Sequence, residues 1–430
     1  MNPLKQTPIM NLKQKSLFLI IITLCSITAF SQTPFGINLA GADFGSNMPG
    51  TYNIDYTYPT ESELDYYKTK GLKLVRLPFK WERIQHPLNG NLNTEELSHI
   101  QTFLQAAAAR DMQVILDLHN YCRYKLNGSE QIIGSNNLSI AHVKDLWTKL
   151  ATALKDSPNI YGYGIMNEPH DLLNSTPWFD IAQEIINGIR STDTKTTIIV
   201  GGDSWSSAER WMTYSDNLKN LSDPSNKLIY EAHVYFDKDA SGTYPNNYDA
   251  DGAYPNIGID RVTPFVNWLQ ANNLKGFIGE YGIPVNDSRW LTVLDNFLSY
   301  LNQNCINGTY WAGGPWWGNY ILSVEPEANT DKPQMAILEK YLTTNNSCPT
   351  LGLNSLKDKY KNLKLYPNPF ENHVFITGLN EGDLINIYNI QCQLITSQRL
   401  ENSVITDLGH LATGVYLVKH DDEFIGKIIK

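Results

Sequence analysis

Cysteine is scarce in this 430-residue chain, with 5 in all, and none falls at the CxxC or Cys/His spacing of a zinc site. Charged residues are few as well, at 18%, and the excess is acidic: 44 Asp and Glu against 34 Lys and Arg, a net charge of −10. The basic footprint of a nucleic-acid binder is absent, so nucleic acid is excluded as a partner and a polyanionic substrate is not expected. No apolar run reaches the ~20 residues that cross a bilayer. What the chain has in plenty is aromatic side chains, 10 Trp, 24 Tyr and 14 Phe, which argue against disorder and against a coiled coil. Such residues suit the C–H faces of neutral sugars, although a hydrophobic core explains most of them equally well.

Residues 1–31 read as a cleaved export signal. Lys5, Lys13 and Lys15 precede an apolar run from Leu17, and Ala29-Phe30-Ser31 offers a small-x-small cleavage site. The apolar stretch, about fifteen residues, is too short for an anchor, so no membrane span is expected after cleavage. Its removal takes three lysines and no acid, which lowers the net charge to −13. Of the cysteines left, Cys122, Cys305, Cys348 and Cys392, a Cys305–Cys348 disulfide is one of several pairings that the sequence leaves open.

From Phe35 to about Leu342, short apolar runs recur roughly every forty residues, each followed by a polar loop and a helix-like pattern. The eight runs are Phe35–Leu39, Leu74–Phe79, Val114–His119, Tyr161–Asn167, Thr197–Gly201, Leu228–Tyr235, Gly276–Glu280 and Thr309–Ala312. Amphipathic stretches lie between them at Glu61–Lys70, Thr94–Arg110 with Thr94 as N-cap, Ser139–Lys155, Trp178–Arg190 and Arg289–Gln303. Uninterrupted runs indicate strands buried on both faces, and eight strand-helix units predict an α/β protein, a (β/α)8 TIM barrel over residues 32–343. A doubly wound open sheet is the alternative, but Gly36-Ile-Asn-Leu-Ala-Gly41 lacks the spacing of a phosphate-binding turn. Residues 344–362 read as a linker, and the alternating pattern from Leu363 to Lys430 predicts a small β-sandwich.

In such a barrel the C-terminal strand ends converge on one face, so functional groups are expected where the apolar runs finish. Arg76, His119, Asn167, Glu168, His233, Tyr235, Glu280 and Trp311 occupy those places. A single His or Arg there is more often a satisfied buried group than a functional one. Glu168 and Glu280 stand out, because each ends a nearly apolar strand, where an unpaired carboxylate is costly. Strands four and seven face each other across the barrel mouth. Two carboxyl groups about 5–5.5 Å apart, one protonating the leaving oxygen and one attacking the anomeric carbon, are what retaining glycoside hydrolysis needs.

Gly36-Ile-Asn-Leu-Ala-Gly-Ala-Asp-Phe-Gly45, Val75-Arg-Leu-Pro, Asp117-Leu-His-Asn-Tyr121, Gly164-Ile-Met-Asn-Glu-Pro-His170, His233-Val-Tyr235 and Gly279-Glu280 resemble glycoside hydrolase family 5. Gly201-Gly-Asp-Ser-Trp205 and Trp311-x-x-Gly-Pro-Trp-Trp317 bring the chain closest to that family's endo-β-1,4-glucanases. The resemblance implies Glu168 as general acid/base, which has to carry a proton near neutrality, and Glu280 as nucleophile, held ionised by Arg76 and Tyr235. It further implies that His119, His233 and Asn167 contact sugar hydroxyls or Glu168, and that Trp311 floors the subsite of the attacked sugar. Trp205 and Trp317 are candidates for further sugar platforms, with core packing the equal alternative.

Neither cofactor nor metal is implied. Asp237, Asp239, Ser241 and Gly242 match the start of a calcium loop, but its twelfth position is Tyr248 rather than Glu. Cys122 reads as structural. The expected substrate is a β-glucan, with mannan, xyloglucan or mixed-linkage glucan as alternatives. A non-catalytic glycan-binding barrel is the rival of a different class, disfavoured by the presence of both glutamates.

In the tail, Leu365-Tyr-Pro-Asn-Pro-Phe370, Gly414-Val-Tyr-Leu-Val and Lys427-Ile-Ile-Lys430 resemble the type A C-terminal sorting domain of the type IX secretion system. A carbohydrate-binding module would need an aromatic platform, and residues 363–430 contain no Trp. The resemblance implies the type IX secretion machinery as partner and a protein secreted to the exterior or attached to the cell surface. A monomer is expected.

Overall fold

The computed structural model describes residues 35–342, 363–389, 393–420 and 423–430. The expected signal over residues 1–31, the expected linker, Cys348 and Cys392 lie outside the described residues. The chain divides into two compact units, Met1–Cys348 and Pro349–Lys430.

In the first unit, eight parallel strands close into a barrel: β1 (Gly36–Leu39), β2 (Leu74–Phe79), β3 (Gln113–Leu118), β6 (Ile160–Gly164), β7 (Thr197–Gly201), β8 (Leu228–His233), β9 (Gly276–Glu280) and β10 (Asn307–Gly313). Between β3 and β6 a hairpin of β4 (Arg123–Leu126) and β5 (Ser129–Ile132) leaves the barrel. Barrel strands such as Leu-Val-Arg-Leu-Pro-Phe and Thr-Ile-Ile-Val-Gly are buried almost throughout, as expected of parallel strands covered on both faces. The fourth and sixth apolar runs extend past their strands, yet Ile165 still donates to Ile199 and Asn167 to Leu118, so the ladder carries the chain up to Glu168.

Side chains two apart on a strand share a face. Leu74, Ile115, Ile199 and Phe277, from four different strands, pack in a cluster of their own. Two residues further along, Arg76 and Asp117 face the same way and meet each other. The interior is thus apolar below and ionic above, toward the strand ends.

The surrounding helices bury one stripe each. In Trp178–Arg190 the buried apolar residues are Trp178, Ile181, Ala182, Ile185, Ile186 and Ile189, a spacing of three and four. Glu61–Thr69 starts with a capping box between Thr60 and Glu63. Helix Thr94–Ala108 corrects one expectation: its N-cap is Asn93, whose side chain accepts from the amides of Glu95 and Glu96. Helix Ile257–Asn272 carries Pro264 inside it and ends on Asn273 in the left-handed conformation.

Asp237 in the loop after β8 accepts from Ser241 Oγ and from the amides of Gly242, Thr243 and Tyr244. Its carboxylate closes the turn. Cys122 is a buried free thiol, its proton affinity raised by burial, and Cys305 is disulfide-bonded.

The second unit contains two antiparallel sheets, built from β11 (Lys364–Tyr366), β12 (Val374–Thr377), β13 (Leu384–Tyr388), β14 (Leu394–Arg399), β15 (Val404–Ile405), β16 (Val415–His420) and β17 (Glu423–Ile429). One sheet has the order β11-β12-β15 and the other β14-β13-β16-β17. Val374, Ile376, Ile385, Ile387, Tyr416 and Val418 share one small core, the buried half of the alternating pattern.

Candidate active site

Eight of the residues singled out in the sequence at strand ends meet in one connected network. Arg76, fully buried on β2, is its hub. Nη1 donates to Asn38 Oδ1 at 3.0 Å and to Glu280 Oε1 at 3.1 Å. Nη2 donates to Asn167 Oδ1 at 2.7 Å and Glu231 Oε1 at 2.9 Å, and lies 3.0 Å from Asp117 Oδ1. Burial alone disfavours its charge, but Asp117, Glu231 and Glu280 outweigh that and raise its pKa.

Glu280 ends β9 and is 4% exposed. Beyond Arg76 on Oε1, its Oε2 accepts from the Tyr235 hydroxyl at 2.8 Å and lies 3.6 Å from His233 Nδ1. Burial and then Glu168 push its carboxyl up, while His233, Arg76 and Tyr235 pull it down, for a value of about 7. Tyr235 is buried beside that carboxyl and holds its proton well above the usual range, so it is the donor in the pair.

Glu168 follows Asn167 with φ +42°, a left-handed backbone that a residue with a side chain adopts at some cost. Its Oε1 lies 2.8 Å from His233 Nδ1. A carboxylate oxygen of Glu168, a ring nitrogen of His233 and a carboxylate oxygen of Glu280 all lie within 4.8 Å of one another. One oxygen of each glutamate thus lies within 4.8 Å of the other, a spacing compatible with the ~5–5.5 Å between the carboxyl groups of a retaining pair.

His119 is neutral, because burial pushes its pKa down to about 3. Its Nδ1 lies 2.8 Å from Asp117 Oδ2, which makes that nitrogen the protonated one, and its Nε2 then accepts from Asn167 Nδ2 at 3.3 Å. Asn167 is therefore fixed at both ends of its amide. The Trp311 indole stacks on the His119 ring at 5.5 Å with 10° between planes.

The two flanking tryptophans differ. Trp205 is 40% exposed and lines, with Glu168, His233, Tyr235 and Arg210, a cavity of about 360 Å³. It stacks on His170 at 4.4 Å in a turn where Ser204, Trp205 and Ser206 all have left-handed φ. That turn is pinned from both sides, since Trp205 N donates to Pro169 O and His233 N donates to Ser206 O. Trp317 is half-buried, stacked on Tyr320 at 4.3 Å and edge-on to Trp311 at 5.9 Å, with its Nε1 donating to Gly313 O.

Asn38, Asp117 and Glu231 join the network without having stood out in the sequence. The last two had a signal: Asp117 lies two residues before His119 and Glu231 two before His233, on the same face of their strands. As for a metal, Glu168, His233 and Glu280 converge closely enough, but His233 has oxygens at both ring nitrogens, Glu168 Oε1 and Glu231 Oε1. Both ring nitrogens are thus already engaged in hydrogen bonds, and neither is left open to an ion.

Known proteins match both units of the chain. The family model for cellulase (glycosyl hydrolase family 5) matches residues 34–316, and that for the secretion system C-terminal sorting domain matches residues 364–430. The endo-β-1,4-glucanase B of Aspergillus niger is 36% identical over 313 residues, 72% of this chain and 90% of that protein. Among solved structures, the Pseudomonas stutzeri endoglucanase Cel5A in complex with cellobiose is 40% identical, with a TM-score of 0.69 over 75% of this chain and 98% of that one. The endo-β-1,4-glucanase Xac0029 of Xanthomonas axonopodis pv. citri is 35% identical, with a TM-score of 0.67 over 72% and 98% of the two chains.

Proposed function

The chain belongs to glycosyl hydrolase family 5, and on that premise we propose that it is an exported endo-β-1,4-glucanase that cuts internal β-1,4-glucosidic bonds with retention, Glu280 attacking and Glu168 moving the proton. The observation that carries the reading is the approach of Glu168 and Glu280 to within 4.8 Å around His233, with Arg76 and Tyr235 on the two oxygens of Glu280.

In the first step the Glu280 carboxylate forms a bond to the anomeric carbon, the glycosidic C–O bond breaks, and the proton of Glu168 passes to the departing oxygen. In the second, Glu168 takes a proton from water, the hydroxide oxygen bonds to the anomeric carbon on the face the leaving group vacated, and Glu280 departs as carboxylate. Two inversions restore the β configuration. Arg76 and Tyr235 solvate the ionised Glu280 in both its free and departing states. Asn167, fixed between Arg76 and His119, is assigned to the 2-hydroxyl, where a hydrogen bond strengthens in the oxocarbenium-like transition state. Trp311 on His119 offers the flat face for the attacked sugar, Trp205 a platform on the leaving-group side, and Trp317 a further one beyond Trp311.

The 364–430 sorting domain implies export by the type IX secretion machinery and attachment at the cell surface. Among the described residues no helix is long and apolar enough to cross a membrane. We assign residues 1–31 to the leader, 32–343 to the catalytic unit and 344–362 to the linker. Carboxymethyl cellulose, lichenan, xyloglucan and galactomannan assayed side by side test the substrate. The expected result is fastest release of internal cuts from carboxymethyl cellulose or lichenan; preference for galactomannan by tenfold or so would move the assignment to mannan.

A further inference from the structure

Glu231 reaches the network from below and takes no part in the steps above. It is 3% exposed on β8, and its Oε1 lies 2.9 Å from Arg76 Nη2 and 3.0 Å from His233 Nε2. The space it fills exists because residue 279 is glycine. A Cβ there would stand 2.2 Å from Glu231 Oε1 and 2.8 Å from His233 Nε2, driving carboxylate and ring apart.

The other ring nitrogen, Nδ1, faces Glu168 Oε1 at 2.8 Å and Glu280 Oε2 at 3.6 Å. His233 thus has carboxylate oxygens on both sides, and a neutral ring would leave one nitrogen lone pair against an oxygen lone pair. With Glu168 ionised, as it is once its proton has left, only the imidazolium satisfies both.

We propose that Glu231 is a positioning residue for catalysis: seated between Arg76 and His233 in the room that Gly279 leaves, it keeps His233 doubly protonated so that Nδ1–H donates to Glu168. The inference rests on Glu168 being the acid/base. The hydrogen bond from a charged donor strengthens as the Glu168 oxygen gains negative charge while its proton leaves for the glycosidic oxygen, which is when it lowers the barrier.

The groups that face this pair are Arg76 from β2, Asp117 from β3, Glu168 after β6, Tyr235 after β8 and Glu280 from β9. Burial opposes the charge on His233, but Glu280, Glu168 and Glu231 overcome it and push the ring up to about 10. Burial also opposes the charge on Glu231, and Arg76 and His233 reverse that, holding its carboxyl below the ordinary value.

The test uses the full chain. In the unmutated protein labelled with 15N at histidine, both His233 nitrogens should carry protons at pH 8, and a ring neutral at pH 7 overturns the proposal whether or not any variant folds. In Glu231→Gln the ring should lose its proton at lower pH. The variant's kcat/KM, which reports the first step, should fall about tenfold or more on a cellobioside whose poor leaving group needs the acid, against under about threefold on 2,4-dinitrophenyl cellobioside, which does not. Equal slowing on both substrates means a merely structural role and contradicts the proposal. Glu168→Ala measured alongside separates the two readings: if its kcat/KM shows no leaving-group selectivity, the acid/base assignment itself is wrong.

Discussion

Glu280→Gln should lower kcat on cello-oligosaccharides by ~10⁴-fold or more, the scale on which an enzyme loses its nucleophile, with KM nearly unchanged. An amide cannot form the glycosyl ester, and no other carboxylate reaches the anomeric carbon from that side: Asp117 and Glu231 are buried and committed to Arg76. The fold should survive. Glu280 titrates at about 7 in the folded protein against an ordinary 4.5, so its ionised form is disfavoured there. A carboxyl whose folded value is raised contributes stability that is complete below its unfolded value and lost as pH rises through the folded one. At pH 8 that contribution is gone, and the neutral glutamine should melt no lower than the parent. Near-normal turnover in this variant would refute the nucleophile assignment.

Glu168→Ala should behave differently, because its loss depends on the substrate. General acid catalysis is worth about 10²–10⁴-fold, so natural glucan, with an alkoxide leaving group, should be cleaved slower by that factor. With 2,4-dinitrophenyl cellobioside the first step needs no proton and the glycosyl ester should accumulate, seen as a burst of dinitrophenol followed by slow turnover. Added azide, which needs no general base, should speed that slow phase and give a β-glycosyl azide. Uniform loss on both substrates with no azide effect would remove Glu168 from the acid/base role.

The barrel was legible because its strands are apolar on both faces, which makes runs such as Leu228–Tyr235 conspicuous, and because helices such as Trp178–Arg190 bury an unbroken stripe. Among the elements that were not read, two have a plain reason. Pro264 hides helix Ile257–Asn272, since a proline usually stops a helix, whereas here the helix runs through it. The β4–β5 hairpin sits in a stretch read as loop, although Asn127-Gly128, both with left-handed φ, is a strong two-residue turn signal. At the site, residues that finish a strand were found because an exposed strand end is where chemistry is expected. Glu231 and Asp117 were missed because they lie one layer deeper, among apolar neighbours, where an acid shows its purpose only when Arg76 arrives from another strand. Asn93 was passed over for Thr94 because both are good caps and only the backbone decides between them.

The claim on which the rest stands is that Glu280 becomes bonded to the sugar. Incubation with 2,4-dinitrophenyl 2-deoxy-2-fluoro-β-cellobioside, which slows ester hydrolysis more than ester formation, followed by proteolysis and mass spectrometry, reads this directly. One fluorocellobiosyl adduct is expected, on the peptide that contains Glu280 and on that side chain; an adduct on Glu168 or any other residue, or an enzyme that never acquires one while releasing α-configured product, would contradict the nucleophile's role.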